Sequence, residues 1–101
     1  SDRGHILENI VYLELLRRNR HVWIGKNNDT EIDFVVQTNS GETEYYQVAE
    51  TMLGNETRAR ETRPLKNIKD HFPKYILTMD AGEYTDGGIR QVNAIDWLLA
   101  V

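Results

Sequence analysis

Cysteine is absent from the 101-residue chain. That removes disulfides, thiolate metal sites and thiol nucleophiles together, and it agrees with a reducing, cytoplasmic setting. No apolar run nears the roughly 18 residues needed to cross a bilayer, and the N-terminus has no signal-peptide core, so a soluble protein is expected. A glycine-rich phosphate loop of the G-x-x-x-x-G-K-[ST] type is also missing, which excludes nucleotide hydrolysis by that route within these residues. Positive charge is in short supply. Twelve Lys and Arg stand against 16 Asp and Glu, for a formal net charge of −4, so the chain as a whole has no general attraction for phosphate backbones. It starts at Ser1 rather than at a methionine, which leads to the expectation of a fragment cut from a longer protein.

What is present is an ordinary globular composition, 40% hydrophobic and 28% charged. The length suits one domain over residues 1–101 with a single core, burying roughly 65% of the extended chain's surface. Residues 4–18 carry Ile6, Ile10, Leu13 and Arg17 on one face, with Leu7, Val11 and Leu15 adjacent, which is helical spacing. Asp2 is positioned to cap this helix, and Arg17, Arg18 and Arg20 suit the negative end of its dipole.

Residues 21–25 form a short β-rich run, and 26–30 are turn formers that predict a hairpin loop. In residues 31–37, Ile32, Phe34 and Val36 alternate with Glu31, Asp33 and Val35, the period of a strand. After a turn at 39–41 a third strand is expected over 44–49, with Tyr45, Gln47 and Ala49 on one face and Tyr46 and Val48 on the other. The first three strands thus make a meander.

Residues 55–72 are polar, with sparse apolar positions at Leu65, Ile68 and Phe72, as in an exposed helix resting one edge on a sheet. Pro64 either opens a second segment of it or kinks it. The uninterrupted apolar run at 75–79 suits a central strand covered on both faces. A loop over 80–88, an edge strand over 89–92 and a short helix over 94–99 complete the order α-β-β-β-α-β with a C-terminal strand and helix. No internal repeat or low-complexity segment occurs.

Three side chains stand out on this frame. Glu8 lies in the first helix, Asp33 in the middle of the second strand and Gln47 in the third. A carboxylate inside an apolar strand is costly when its face is covered without a partner, so Asp33 calls for an explanation. A structural one is available for each residue: Glu8 as a favourable carboxylate early in a helix, Asp33 as an acceptor of neighbouring backbone N–H groups or a partner of an arginine from the second helix, and Gln47 as a satisfied polar residue. Between Arg58 and Lys74, six basic residues face only Glu61 and Asp70. Such a run is usually a solvated helix face, and the minority reading makes Arg58, Arg60, Arg63 and Lys66 a nucleic-acid surface. Tyr45, Tyr46, Trp23 and Trp97 read as core or rim aromatics. His5, His21 and His71 have no ligand spacing and read as surface residues, and Glu14 and Glu50 as ordinary charges.

The element order, the G-x-x-x-E pattern of Gly4 to Glu8, the E-I-D-F-V strand with Asp33 and the Y-Q-V-A strand with Gln47 resemble the PD-(D/E)XK nuclease superfamily. More closely, the runs GHILENIVYLELLRR, VWIGKNNDTEIDFVV, YYQVAET and RPLKNIKDHFPKYILTMD resemble the C-terminal domain of unknown function that follows the AAA-type ATPase module in many bacterial and archaeal proteins.

The resemblance implies a nuclease-like α/β core in a prokaryotic ATPase. In active superfamily members the helix Glu, the strand Asp and the first residue of the (D/E)-x-K strand hold a divalent cation, Mg²⁺ or Mn²⁺, because hard oxygen donors suit these ions beside a polyanion. Glu8 and Asp33 match as carboxylates, Gln47 matches as a neutral oxygen, and Ala49 stands where the lysine belongs. A methyl group neither orients water nor stabilises developing charge, and loss of one such donor costs roughly a hundredfold to a thousandfold. A base supplied by Lys26, Arg58, Arg60 or Lys66 is the compensating alternative. The expected function is therefore a non-catalytic accessory or interaction domain of the ATPase module in the same chain, with a metal-dependent DNA nuclease and a nucleic-acid-binding module as alternatives. No cofactor is certain on this reading, and no membrane partner is expected.

Overall fold

The computed structural model describes residues 1–27 and 29–100. Helix α1 spans Asp2–Arg18, strands β1 to β3 span His21–Asn27, Thr30–Gln37 and Thr43–Val48, and helix α2 spans Asn55–Lys66. Strands β4 to β6 at Lys74–Thr78, Tyr84–Asp86 and Ile89–Asn93, and helix α3 at Ala94–Leu99, complete the chain. The six strands form one mixed sheet in the order β1-β2-β3-β4-β6-β5. Pairing is antiparallel from β1 to β3, parallel from β3 through β4 to β6, and antiparallel between β6 and β5. The molecule is an α/β fold.

Each face of the sheet has its own core. On one side Leu7, Val11 and Leu15 of α1 and Ala94 of α3 pack on Phe34, Val36, Tyr46, Val48 and Leu77. On the other, Leu65 of α2 and Met52 pack on Ile32, Val35, Ile76 and Ile89. Strand β4 is central as its apolar run implied, since Ile76 and Leu77 serve opposite cores. Arg18 anchors α3 by donating to the carbonyls of Trp97 and Ala100, both at 2.9 Å, with its guanidinium 4.4 Å above the Trp97 ring.

Several expectations change. The buried stripe of α1 is Leu7, Val11 and Leu15, whereas Ile6, Ile10 and Leu13 face outward. Ser1 rather than Asp2 caps α1, its Oγ accepting the Gly4 N–H at 3.0 Å. The second helix ends at Lys66, with Pro64 buried in its last turn and no second segment of this helix following among the described residues; the proline has no N–H to donate to the preceding turn. Residues 84–86 pair as a strand, so β5 is the edge and β6 lies inside the sheet. The loop expected over 26–30 includes residue 28, which lies outside the described residues. No described helix is long and apolar enough to cross a membrane.

The regular alternation of β2 also fails at one point. Trp23 pairs with Val35 and Gly25 with Ile32, so Asp33 and Phe34 together oppose Ile24 alone. This is a β-bulge, which breaks the two-residue period. It explains why Ile32 joins Val35 in one core while Phe34 and Val36 join the other. The missing Cβ of Gly25 accommodates the crossing, since a Cβ there would meet Val35 Cγ2 at 2.5 Å.

Candidate functional site at the β2–β3 fork

The bulge places Asp33 where the sheet divides. Pairing of β2 with β3 runs from Gln37↔Thr43 to Phe34↔Tyr46 and stops there. Beyond that point β2 continues beside β1, while Gln47 and Val48 pair with Ile76 and Leu77 of β4. Backbone groups at such a fork lose their ladder partners, and buried ones must find others.

Two side chains supply them. The Val48 N–H donates to Asp33 Oδ2 at 2.8 Å, and the Asp33 N–H donates to Gln47 Oε1 at 2.7 Å. Gln47 Nε2 then donates to the Glu61 carbonyl of α2 at 3.2 Å. The buried Gln47 therefore ties β2, β3 and α2 together with both ends of its amide. The Val48 N–H offsets only part of the cost raised by the position of Asp33.

Carboxylates dominate the charge at the fork. Burial pushes the Asp33 carboxyl up to about 7 against the pull of the Val48 N–H, and the negative charges of Glu8, Glu61 and Glu31 push it the same way. Burial also raises Glu61, opposed by Arg60, whose Nε lies 3.6 Å from Glu61 Oε2, and Glu8 adds to the rise. Glu8 is half-buried in α1 and borders a hollow of about 260 Å³ with Tyr12, Trp23, Ile24 and Phe34. The fold thus brings the fields of Glu8, Asp33 and Glu61 onto one another, although they come from three elements.

Glu61 was invisible as a site residue because it sits in the basic run as a counter-charge. The signal that would have found it is its place one helical turn before Leu65, on the side of α2 that meets the sheet.

Among the described residues no group of three His, Cys, Asp or Glu side chains is placed to hold a metal ion. One Asp33 oxygen and the Gln47 carbonyl oxygen are already engaged by backbone N–H groups.

Ala49, at the position of the absent lysine, packs beside the core on the α2 side, and its N–H donates to the Leu77 carbonyl at 3.0 Å. Of the alternative bases, Arg58 and Arg60 have partners of their own. Arg58 donates to Gln91 Oε1 at 3.1 Å and lies 4.8 Å from the Tyr84 ring, Arg60 meets Glu61, and Lys66 is exposed on α2. Lys26 borders a groove with Trp23, Tyr45 and Lys69.

The suspected nucleic-acid surface is divided in the same way. Arg60, Arg63 and Lys66 are exposed, whereas Arg58 is turned toward the sheet by its bond to Gln91. Glu14 is no free charge either: its hydrogen bonds to Arg17 and then Arg18 hold its carboxyl down to about 2. His5, His21 and His71 are exposed, as their spacing suggested.

The chain is 42% identical over 94 residues to an uncharacterized protein of Haemophilus influenzae, a match covering 92% of this chain and 22% of that protein. It is 31% identical over 103 residues to an uncharacterized protein of Methanocaldococcus jannaschii, covering 95% of this chain and again 22% of the relative. The chain therefore spans about a fifth of the length of these curated relatives, one bacterial and one archaeal. No family model matches. No solved structure matches either.

Proposed function

We propose that the chain is a non-catalytic accessory domain of a longer prokaryotic polypeptide, built on a PD-(D/E)XK-like scaffold and serving an ATPase module in the same chain. The observation that carries this reading is the use of the fork. Gln47 stands in the ligand position but spends its amide tying strands to helix, and Ala49, in the lysine position, packs against the core. Gln47 and Ala49 thus do structural work at two positions that would do chemistry in a nuclease.

Two further observations support it. The short match to much longer relatives suits a domain within a larger protein, and the order of α1, β1 to β3, α2 and β4 follows the nuclease-like pattern. A functioning phosphodiester-cleaving centre also needs positive charge to offset the phosphate and the attacking oxygen. The fork instead gathers the fields of several carboxylates.

The test is a cleavage assay on the full-length polypeptide with Mg²⁺ and with Mn²⁺, using linear, supercoiled, single-stranded and branched DNA. No cutting above background is expected. Cleavage that Asp33→Ala abolishes would replace this reading with that of a metal-dependent nuclease.

A further inference from the structure

Helix α1 has two apolar stripes, and the sheet needs only one. Leu7, Val11 and Leu15 fill the core, while Ile6, Ile10 and Leu13 recur on the outer side and remain 58%, 43% and 64% exposed. Helix α3 lies against α1 and extends this surface with Ile95, 44% exposed, and Leu99, 75% exposed. Between the two helices runs a groove of about 390 Å³, bordered by Ile6, Ile10, Met79, Ile95 and Leu98, with Arg3 and Glu50 as its charged lining. A contiguous apolar surface of this kind marks an interaction site rather than a scatter of exposed residues.

From this surface we infer that the outer face of α1 and α3 docks a neighbouring folded domain of the same polypeptide, which meets it with an aliphatic helix or ridge seated in the groove. The inference rests on the accessory-domain reading and names where its partner binds. The length of the relatives supplies the occupant: the segment matched by this chain leaves about four-fifths of each of them outside it.

The size of the face favours a tethered partner over a free one. A helix of this length is roughly 25 Å long and 10 Å wide, and the short α3 adds little. The stripe therefore falls short of the roughly 800 Å² per partner typical of free association. A partner in the same chain is present at an effective concentration on the order of millimolar, at which a smaller apolar contact is sufficient. Spaced as i, i+4 and i+7, the side chains offer the pattern that receives an apolar helix face.

The absence of cysteine gives a direct test. Leu13→Cys, at an exposed position, is introduced into the 101-residue chain and into the full-length polypeptide, with Lys66→Cys on the opposite side as the control. Maleimide labelling rates are read by peptide mass mapping. In the full-length protein Leu13→Cys should label at least tenfold more slowly than in the chain alone, while Lys66→Cys labels equally in both.

Equal rates at position 13 in the two contexts would overturn the inference. So would slow labelling in the chain alone that accompanies dimer formation in size-exclusion chromatography, because the occupant would then be a second copy. Circular dichroism of the variants confirms that both fold. Neither labelling result depends on DNA cleavage, so failure of this docking and failure of the non-catalytic reading are told apart.

Discussion

Replacing Asp33 with Asn tests the electrostatics of the fork. The Asp33 carboxyl has an ordinary value of 3.8 and is raised to about 7 in the folded chain. Between those two pH values the folded state keeps a proton that the unfolded state has lost. Stability therefore falls as pH rises through that window and reaches its low plateau above about pH 7. At roughly 1.4 kcal/mol per pH unit, the upper bound of the loss is on the order of 4 kcal/mol.

Asparagine removes the charge and keeps a carbonyl oxygen for the Val48 N–H. Allowing for relaxation and water at a partly exposed site, Asp33→Asn should be more stable than the wild type at pH 8 by on the order of 2 kcal/mol. For a domain of this size that raises the unfolding midpoint by roughly 10 °C. At pH 4 the two proteins should unfold within about 0.5 kcal/mol of each other, because the native carboxyl is then neutral. Urea and thermal unfolding at pH 4, 6 and 8 measure both differences. A variant that is less stable at pH 8, or a difference that does not change with pH, would refute the reasoning. Millimolar Mg²⁺ should leave the wild-type midpoint unchanged. A rise that vanishes in Asp33→Asn would instead reveal a cation site, since a ligand bound only to the native state stabilises it.

Other substitutions address separate parts of the structure. Gly25→Ala should cost about 1–3 kcal/mol, because its Cβ would meet Val35 Cγ2 at 2.5 Å beside the bulge; an unchanged urea midpoint would show that the close approach of β1 and β2 is not needed. Gln47→Ala leaves the Asp33 N–H and the Glu61 carbonyl without their partner and should cost about 1–3 kcal/mol, measured by denaturant unfolding at constant pH. Leu65→Ala, the fully buried anchor of α2, should cost about 2–5 kcal/mol, whereas Leu13→Ala in the isolated chain should stay within about 0.5 kcal/mol of the wild type.

The sequence by itself determined the order of elements apart from the short edge strand β5. Helical spacing in α1, the alternation of Tyr45, Gln47 and Ala49 against Tyr46 and Val48, and the unbroken apolar run of β4 each follow from local geometry, and each element stands where that pattern puts it. The sequence also singled out Asp33, because a carboxylate inside an apolar strand is legible without coordinates, whereas Glu8, Gln47 and Ala49 stand out through the resemblance to the nuclease motif.

Only the tertiary structure decided which of the two apolar stripes of α1 is buried, because both satisfy the same period and the sheet accepts one. Only it revealed the bulge at Asp33, since an extra residue in one strand is defined by its partner strand. Glu61 is close to Asp33 in space but distant in sequence. The hydrogen bonds of Gln47 and the packing of Ala49 were likewise visible only there. Gln47 ties the fork together, because the backbone groups it satisfies lose their ladder only when β2 and β3 part.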